Sequence, residues 1–253
     1  MFKSFVIIIV IIFGLFSTVI GQEISVKSIL QDMSESFVKL APEKYKKIIQ
    51  FNIKDDEQMV NYWVNLMEGS TVNTGKNKEA FIIFISDKLT LTKIYKGELN
   101  ALTAAGRAKL SDRAPLDILP GKGVSFSQEF LLYLYYYLCN FFNTAEIKRI
   151  KFGSDYSRFI HGAYAVALFY DKNFRSAWYE IKKGERLNKE GDTNPFPQLL
   201  IIIEGNGFLK YGDKTVEIKK GEAIYIPPDT VHILWTEGNK PLRIIWLAWG
   251  EKA

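Results

Sequence analysis

Residues 201–235 read IIIEGNGFLKYGDKTVEIKKGEAIYIPPDTVHILW and decide the fold of the second half of the chain. Short runs rich in β-branched and aromatic residues alternate with turns rich in Gly, Asp and Pro, a pattern typical of a β-sandwich or barrel. The Gly-Asp pair at 212–213 predicts a tight hairpin. A Pro-Pro turn at 227–228 then places His232 at the start of the next strand. The stretch therefore predicts an antiparallel barrel that presents a histidine.

Similar strand-like runs extend from AEIKRIKF (145–152) through SRFIHGAYAVALFY (157–170) to LRIIWLAWG (242–250). Together they resemble the cupin family, whose barrel is a double-stranded jelly roll. The resemblance covers about residues 146–249 and includes a Glu-Gly-x-Gly turn and a Gly-x5-Pro spacing before the histidine. Its residues are Glu204, Gly205, Gly207, Gly221, Pro227 and His232.

Metal-binding cupins take further ligands from a His-x-His and Glu motif ahead of the Glu-Gly turn. The resemblance places those ligands at Asp192, Asn194 and Gln198. Together with His232 they are a poor cage for Fe, Mn or Zn, which favour imidazole and carboxylate together. We therefore expect a degenerate metal site and no cofactor. The alternative is a weak divalent metal in the cupin pocket, and the second histidine, His161, is interpreted as structural.

The same region predicts a pocket for a small molecule. Gln198 and His232 each share a strand face with apolar residues two positions on, so both side chains are expected to face the barrel interior. A few polar groups in an apolar cup are typical of such a site. No catalytic residue is predicted, and a barrel filled by its own side chains is the alternative. The predicted ligand-binding residues are Gln198, His232, Asn194, Asp192, Tyr225, Trp178 and Trp246.

The first half of the chain predicts an α/β unit. Ile29, Met33, Phe37 and Leu40 recur with helical period before Pro42. Three strand-like runs follow, YKKIIQFNI, QMVNYWVNLM and EAFIIFIS, with a loop at 68–79 between the last two. Two short helices then complete the unit, DKLTLTKIYKG and ELNALTAAGRAKL.

Over roughly residues 25–118, this pattern resembles the sterol-carrier-protein-like domain. The resemblance implies a five-stranded sheet, an apolar tunnel and a lipid or other apolar small molecule as partner. A packed core without a cavity is the alternative. The matching residues lie in IYKGELNALTAAGRAKLSD and are Gly97, Asn100, Ala104, Gly106, Lys109 and Leu110.

Residues 126–142, FSQEFLLYLYYYLCNFF, are apolar around almost the whole helical circumference, which predicts a helix buried on all sides. We interpret it as an interdomain helix, and a lid over the lipid tunnel is the alternative. Cys139, the one cysteine, is predicted to be a buried thiol. A nearby histidine would be needed for catalysis by this thiol, and none is adjacent in sequence.

The N-terminus predicts an export signal over residues 1–21, because Lys3 precedes an apolar run that ends before Gly21. We therefore expect a secreted or periplasmic protein with no stable membrane span after cleavage, and an uncleaved anchor is the alternative. The net charge is +5, but basic and acidic residues are interspersed along the chain. This interspersion argues against a nucleic-acid partner.

These observations predict an α+β chain with four segments: the signal (1–21), a small sterol-carrier-like α/β domain (22–120), an apolar interdomain helix (121–145) and an all-β cupin jelly-roll domain (146–253). Family analogy adds a possible homodimer through the cupin domain.

The predicted function is that of an exported, non-catalytic binding protein for a lipid or other apolar small molecule. Its cupin domain, in which the metal site is degenerate, would provide a ligand-sensing or accessory pocket. One alternative is a metal-dependent cupin enzyme (isomerase, lyase or oxygenase) that uses His232 with Asp192, Asn194 and Gln198. Another is an interaction module in which both pockets are vestigial.

Overall fold

The computed structural model describes residues 24–109 and 111–253. The predicted signal at 1–21 lies outside these residues, so it stays a prediction. Within the described ranges, no helix is both long and apolar enough to cross a membrane. The described chain forms a mixed α/β unit followed by an all-β unit.

The α/β unit is built on one five-stranded sheet with the strand order β3-β2-β1-β4-β5. β1 and β4 are parallel, and the other neighbours are antiparallel. The sheet has the number of strands that the sterol-carrier resemblance implies, although β3 lies in a segment predicted as a loop. The elements are α1 (Val26–Leu40), β1 (Ile48–Asp55), β2 (Gln58–Asn65), β3 (Val72–Thr74), β4 (Ile82–Asp87), α2 (Lys88–Tyr95), α3 (Ala101–Ala105), β5 (Asp117–Pro120) and α4 (Gln128–Asn140).

Each helix of this unit begins at a side chain that accepts a hydrogen bond from a free backbone N–H of the first turn. Ser25 caps α1, Asp87 caps α2 and Asn100 caps α3. The apolar face of α1 is buried as its periodicity predicts, except that Leu40, at the last turn, is exposed. Local sequence signals thus account for where these helices start.

Helix α4 packs on the sheet through aromatic side chains. The Tyr137 ring lies 5.4 Å from the ring of Phe37, and Phe141, directly after α4, lies 5.4 Å from Phe51. The Tyr137 hydroxyl donates to the Tyr45 carbonyl at 2.6 Å, so this buried polar group is satisfied. Because aromatic side chains bury large apolar areas, these contacts hold α4 firmly in the core of the α/β unit.

The all-β unit consists of two facing antiparallel sheets. The larger has the order β13-β10-β15-β8-β7-β6, and the smaller has the order β12-β11-β14-β9. Buried aliphatic side chains from both sheets, such as Leu200, Leu209 and Leu234, form the core between them. The strands are β6 (Arg158–Ile160), β7 (Ala163–Asp171), β8 (Phe174–Ile181), β9 (Arg186–Leu187), β10 (Gln198–Glu204), β11 (Asn206–Tyr211), β12 (Lys214–Lys219), β13 (Ala223–Ile226), β14 (His232–Trp235) and β15 (Leu242–Trp249).

Two strand predictions in this unit were wrong. Residues 145–152 form no strand. The segment is mostly exposed, and Phe152 at its end packs on Trp178 of the larger sheet. The predicted strand at 157–170 is a hairpin of β6 and β7, because His161 and Gly162 both adopt positive φ angles and reverse the chain.

A bulge in β7 joins the two units. The pairing of β7 with β8 shifts register between Ala167 and Phe169. The N–H of Ala167 donates to Oγ1 of Thr103 at 2.9 Å, and the Ala167 carbonyl accepts from Nδ2 of Asn100 at 3.1 Å. Nearby, Nη1 of Arg158 donates to three carbonyls around the end of α3, at 2.7–3.0 Å. Helix α3 is therefore fastened to the edge of the barrel.

We predict that Arg158→Ala lowers the free energy of unfolding by about 2–3 kcal/mol, because hydrogen bonds from a charged donor to buried carbonyls are worth more than neutral ones. The measurement is the urea midpoint at pH 7. Arg149→Ala, which removes an exposed arginine, serves as the control and should change the midpoint little. Equal midpoints for the two variants would contradict the role given to Arg158.

Candidate ligand-binding site

A cavity of about 890 Å³ lies where the barrel meets the helices of the α/β unit. This volume is typical of sites for small molecules. One side is apolar, and its residues from α3, β5 and α4 include Leu102, Ile118, Leu131, Leu134 and Leu138. The opposite side belongs to the barrel and carries polar groups, namely His161, Arg175, Asp192, Asn194, Gln198 and His232.

Gln198 is fully buried at the start of β10, with its side chain toward the barrel interior as predicted. Its Oε1 accepts from Nε1 of Trp246 at 2.7 Å and from Nδ2 of Asn194 at 3.1 Å. These two donors fix the orientation of the amide. Its Nε2 has no hydrogen-bond partner. The buried amide therefore has an unpaired donor and no free acceptor.

His232 is buried at the start of β14, after the Pro-Pro turn in which Asp229 adopts a positive φ of 57°. Its Nδ1 lies 2.8 Å from the Thr230 carbonyl, so Nδ1 carries the proton and Nε2 is left as an acceptor. Burial lowers the pKa of His232, while the Thr230 carbonyl and the charge of Asp192 oppose that shift. The ring is thus a neutral imidazole at pH 7.

His161 also lines this cavity, which differs from the predicted structural role. It lies in the β6–β7 turn, where a Cβ on Gly162 would come within 2.1 Å of the Arg186 carbonyl oxygen, so the turn requires glycine there. The His161 ring is exposed and makes no hydrogen bond to a described residue. Burial of the surrounding site lowers the pKa of His161, opposed mainly by Asp192. The structure therefore brings both histidines and Asp192 together.

Five of the seven predicted site residues line the cavity. The loop before β10 brings Asp192 and Asn194 to it, because the Asn194 carbonyl accepts from the Asp229 N–H at 2.7 Å and Oδ2 of Asp192 accepts from the Lys189 N–H at 3.1 Å. The cavity-lining residues among the predicted set are Gln198, His232, Asn194, Asp192 and Trp246.

The structure places Trp178 and Tyr225 on the outer face of the barrel. Trp178 is paired with Ile245, the neighbour of the inward-pointing Trp246, so Trp178 points outward. Phe152 packs on the Trp178 ring from that side. Tyr225 is exposed and packs on Trp249. Neighbouring residues of a strand point to opposite faces, so an error of one position in register reverses the direction of a side chain.

Sequence analysis missed Arg175, which lies on β8 and lines the cavity. Its guanidinium carbon lies 5.7 Å from the ring centroids of Tyr135 and Tyr170 and 5.8 Å from that of Phe196. Burial raises the pKa of Tyr170 to about 12 and also raises the pKa of Tyr135, and the charge of Arg175 opposes both shifts. The alternation along β8 could have shown that Arg175 points to the barrel interior. The three rings around it could not be predicted, because they come from distant parts of the chain.

Comparison with protein families matches residues 177–248 to the model described as "Cupin domain", so this part of the chain is a cupin domain. An uncharacterized protein from Methanocaldococcus jannaschii is 42% identical over 48 residues, which are 19% of this chain. The chain spans only 38% of the length of that relative. The sterol-carrier resemblance of the α/β unit stays a prediction.

Solved cupin structures are also similar to the chain. A cupin 2 conserved barrel domain protein from Salinispora arenicola is 14% identical, with 42% of this chain and 91% of that chain covered and a TM-score of 0.38. An RmlC-like cupin from M. jannaschii is 17% identical, with 43% and 95% covered and a TM-score of 0.37. A predicted oxalate decarboxylase from Thermotoga maritima is 17% identical, with 34% and 79% covered and a TM-score of 0.32.

We predict that the free energy of unfolding falls as the pH is lowered from 7.5 to 5.5, and that His232→Gln reduces this fall. The folded chain holds the pKa of His232 below its ordinary value of about 6.5, so the unfolded chain takes up the proton first. The stability contributed by neutral His232 is therefore fully present above about pH 6.5 and is lost as the pH falls below that value. Urea midpoints at both pH values are the measurement. His161→Gln, at an exposed ring, should have the smaller effect, and an unchanged pH dependence in His232→Gln would contradict the assignment.

Proposed function

We propose that the chain is an exported binding protein that holds a small apolar or amphipathic molecule in the cavity between the barrel and the helices, without converting it chemically. The observation that carries the proposal is the two-sided lining of one cavity, with leucines from α3 and α4 on one side and hydrogen-bonding groups of the cupin domain on the other. The export part rests on the sequence of residues 1–21 alone.

The apolar side supports a ligand with an apolar body. Leu131 lies on the cavity side of α4 and is only partly buried by its neighbours, and Phe126, just before α4, is 54% exposed at the cavity wall. Contact with a ligand would remove such apolar surface from water at roughly 25 cal/mol per Å². The sterol-carrier resemblance implies a tunnel inside the α/β unit. The proposed ligand instead contacts the outer side of α4, because stacked rings such as Phe51 and Phe84 occupy the interior of the α/β unit.

The residues at the cupin metal positions do not fit a transition metal. Gln198 presents its NH₂ group, because its oxygen already accepts two hydrogen bonds, and the Asn194 NH₂ is one of those donors. Only Nε2 of His232 and the Asp192 carboxylate are suitable ligands. No group of three or more His, Cys, Asp or Glu side chains in the described residues could hold a metal ion. We therefore propose a ligand site that works without a metal.

This proposal predicts that Zn²⁺ or Mn²⁺, at an equimolar concentration, shifts the thermal midpoint by less than about 1 °C. A metal bound only by the folded chain would stabilise it in proportion to occupancy. Differential scanning fluorimetry with and without EDTA gives the measurement. The control is His232→Ala, which removes the one imidazole of the set and should respond to metal as the parent chain does. A rise of several degrees that EDTA abolishes, and that His232→Ala lacks, would favour the enzyme alternative.

The catalytic alternative has less support from the geometry. An acid–base pair needs the carboxylate and the imidazole within hydrogen-bond reach of each other or of the substrate. The Nδ1 hydrogen bond of His232 goes to the Thr230 carbonyl, and Asp192 accepts from the Lys189 backbone. No hydrogen bond joins the two side chains in the described residues, so they do not form an acid–base pair with each other.

We predict that Leu131→Lys weakens binding of a neutral apolar probe, N-phenyl-1-naphthylamine, by at least about tenfold, equivalent to about 1.4 kcal/mol. The variant places an ammonium group on the apolar side of the cavity, and burying that charge under the probe is costly. Probe fluorescence titrations provide the measurement. Leu89→Lys makes the same chemical change at an exposed position of α2 and should leave binding unchanged. Equal affinity of both variants, or no binding by the parent chain, would contradict the proposed site.

A further inference from the structure

We infer that the cavity selects ligands with a singly charged oxyanion group, such as a carboxylate, and that Arg175 anchors this group with the Gln198 amide as a second donor. The inference rests on the proposed function and specifies its ligand class. One side-chain nitrogen of each residue, Nε of Arg175 and Nε2 of Gln198, lacks a hydrogen-bond partner, and both residues line the same cavity.

The first support comes from unpaired polar atoms. Within the described residues, three buried side-chain polar atoms lack a hydrogen-bond partner, and they are Asn61 Oδ1, Arg175 Nε and Gln198 Nε2. The two that belong to cavity residues are both donors. Leaving a buried donor without a partner is costly, so two in one cavity favour a ligand that supplies acceptors.

The second support is charge balance. Arg175 forms no ion pair with a described carboxylate. It is enclosed by the rings of Tyr135, Tyr170 and Phe196, which attract a cation but do not neutralise it. The acid that lines the cavity, Asp192, interacts with the two histidines. The guanidinium therefore has no carboxylate within ion-pair distance among the described residues, which favours a ligand that brings an anionic group such as a carboxylate.

The third support is the register of the sheet. Ala248 on β15 is paired with Gln198 on one side and with Arg175 on the other, so both donors lie at one level of the barrel, two strands apart. Phe196 lies between them, since it contacts Trp246, the hydrogen-bond partner of Gln198, and also Arg175. An oxyanion at this level would therefore lie in the part of the cavity that both residues line.

Helix α4 gives the ligand its direction. Tyr135, which touches Arg175, lies four residues from Leu131 and three from Leu138, and all three line the cavity. Residues with this spacing share one helical face. A ligand with its carboxylate at Arg175 can therefore lay an alkyl chain along the apolar face of α4.

A basic groove of about 690 Å³ adjoins the cavity and shares Arg107, His161, Asn188 and Asp192 with it. Its acidic residues are Asp112, Glu190 and Asp192, half as many as its cations. A passage with an excess of positive charge raises the local concentration of anions. The cations are Arg107, Lys109, Arg113, Arg158, Arg186 and Lys189.

The test compares three probes of equal chain length, decanoate, decanol and decylamine, by isothermal titration of the full chain at pH 7.5. We expect decanoate to bind at least about tenfold more tightly than the other two, since a charge-assisted hydrogen bond is worth about 1.5–3 kcal/mol. Arg175→Gln should remove this preference and leave decanol binding within about threefold. Arg175→Lys keeps the charge and should retain part of the preference.

Lys172→Gln is the matched control, because it removes one positive charge from an exposed position three residues away and should leave all three affinities unchanged. Decanol binding as tightly as decanoate to the parent chain would overturn the inference while leaving the proposed function intact. No binding of any probe would overturn both. Should Arg175→Gln fail to fold, the probe preference of the parent chain and of Arg175→Lys still decides the matter.

Discussion

The architecture depends on how the backbone of Ala167 is satisfied. This residue pairs with Ala177 of β8 next to the bulge, and it lies beyond the residues of β7 that β6 pairs with, so its N–H and carbonyl are available to the α/β unit. Thr103 accepts a hydrogen bond from the Ala167 N–H, and Asn100 donates one to the Ala167 carbonyl. Asn100 also caps the helix that carries Thr103. A buried backbone group without a partner is costly, so these hydrogen bonds hold the start of α3 against β7.

The cavity is consequently a property of the two units together. The barrel alone would expose Tyr170 and Arg175 to water, and the α/β unit alone would expose Leu131 on α4. A molecule that fills the cavity contacts both units and binds only when they are docked. Binding energy therefore adds to the stability of the junction, by an amount that grows with ligand concentration above the dissociation constant. Junction stability and ligand affinity are thermodynamically linked.

Much of the barrel was predictable because its signals are local. The Gly-Asp hairpin, the Pro-Pro turn and the alternation after Gln198 and His232 all depend on residues near one another in sequence. The direction of Trp178 was not predictable, because Phe152 packs on it from outside the barrel and the outward side chain is as buried as an inward one. The site around Arg175 was beyond prediction for a similar reason, since its rings come from α4, β7 and the loop before β10.

The identity of residue 175 as arginine explains how an unpaired cation persists in such surroundings. A guanidinium group stays charged at any physiological pH, is weakly hydrated for a cation and stacks on aromatic faces. The three rings replace part of its hydration shell, and the open side of the cavity supplies the rest. A carboxylate that arrives there replaces water at a cation that is already oriented, so little side-chain entropy is lost on binding. The aromatic enclosure thus prepares Arg175 for an anion, whereas an internal carboxylate in the same place would have filled the site permanently.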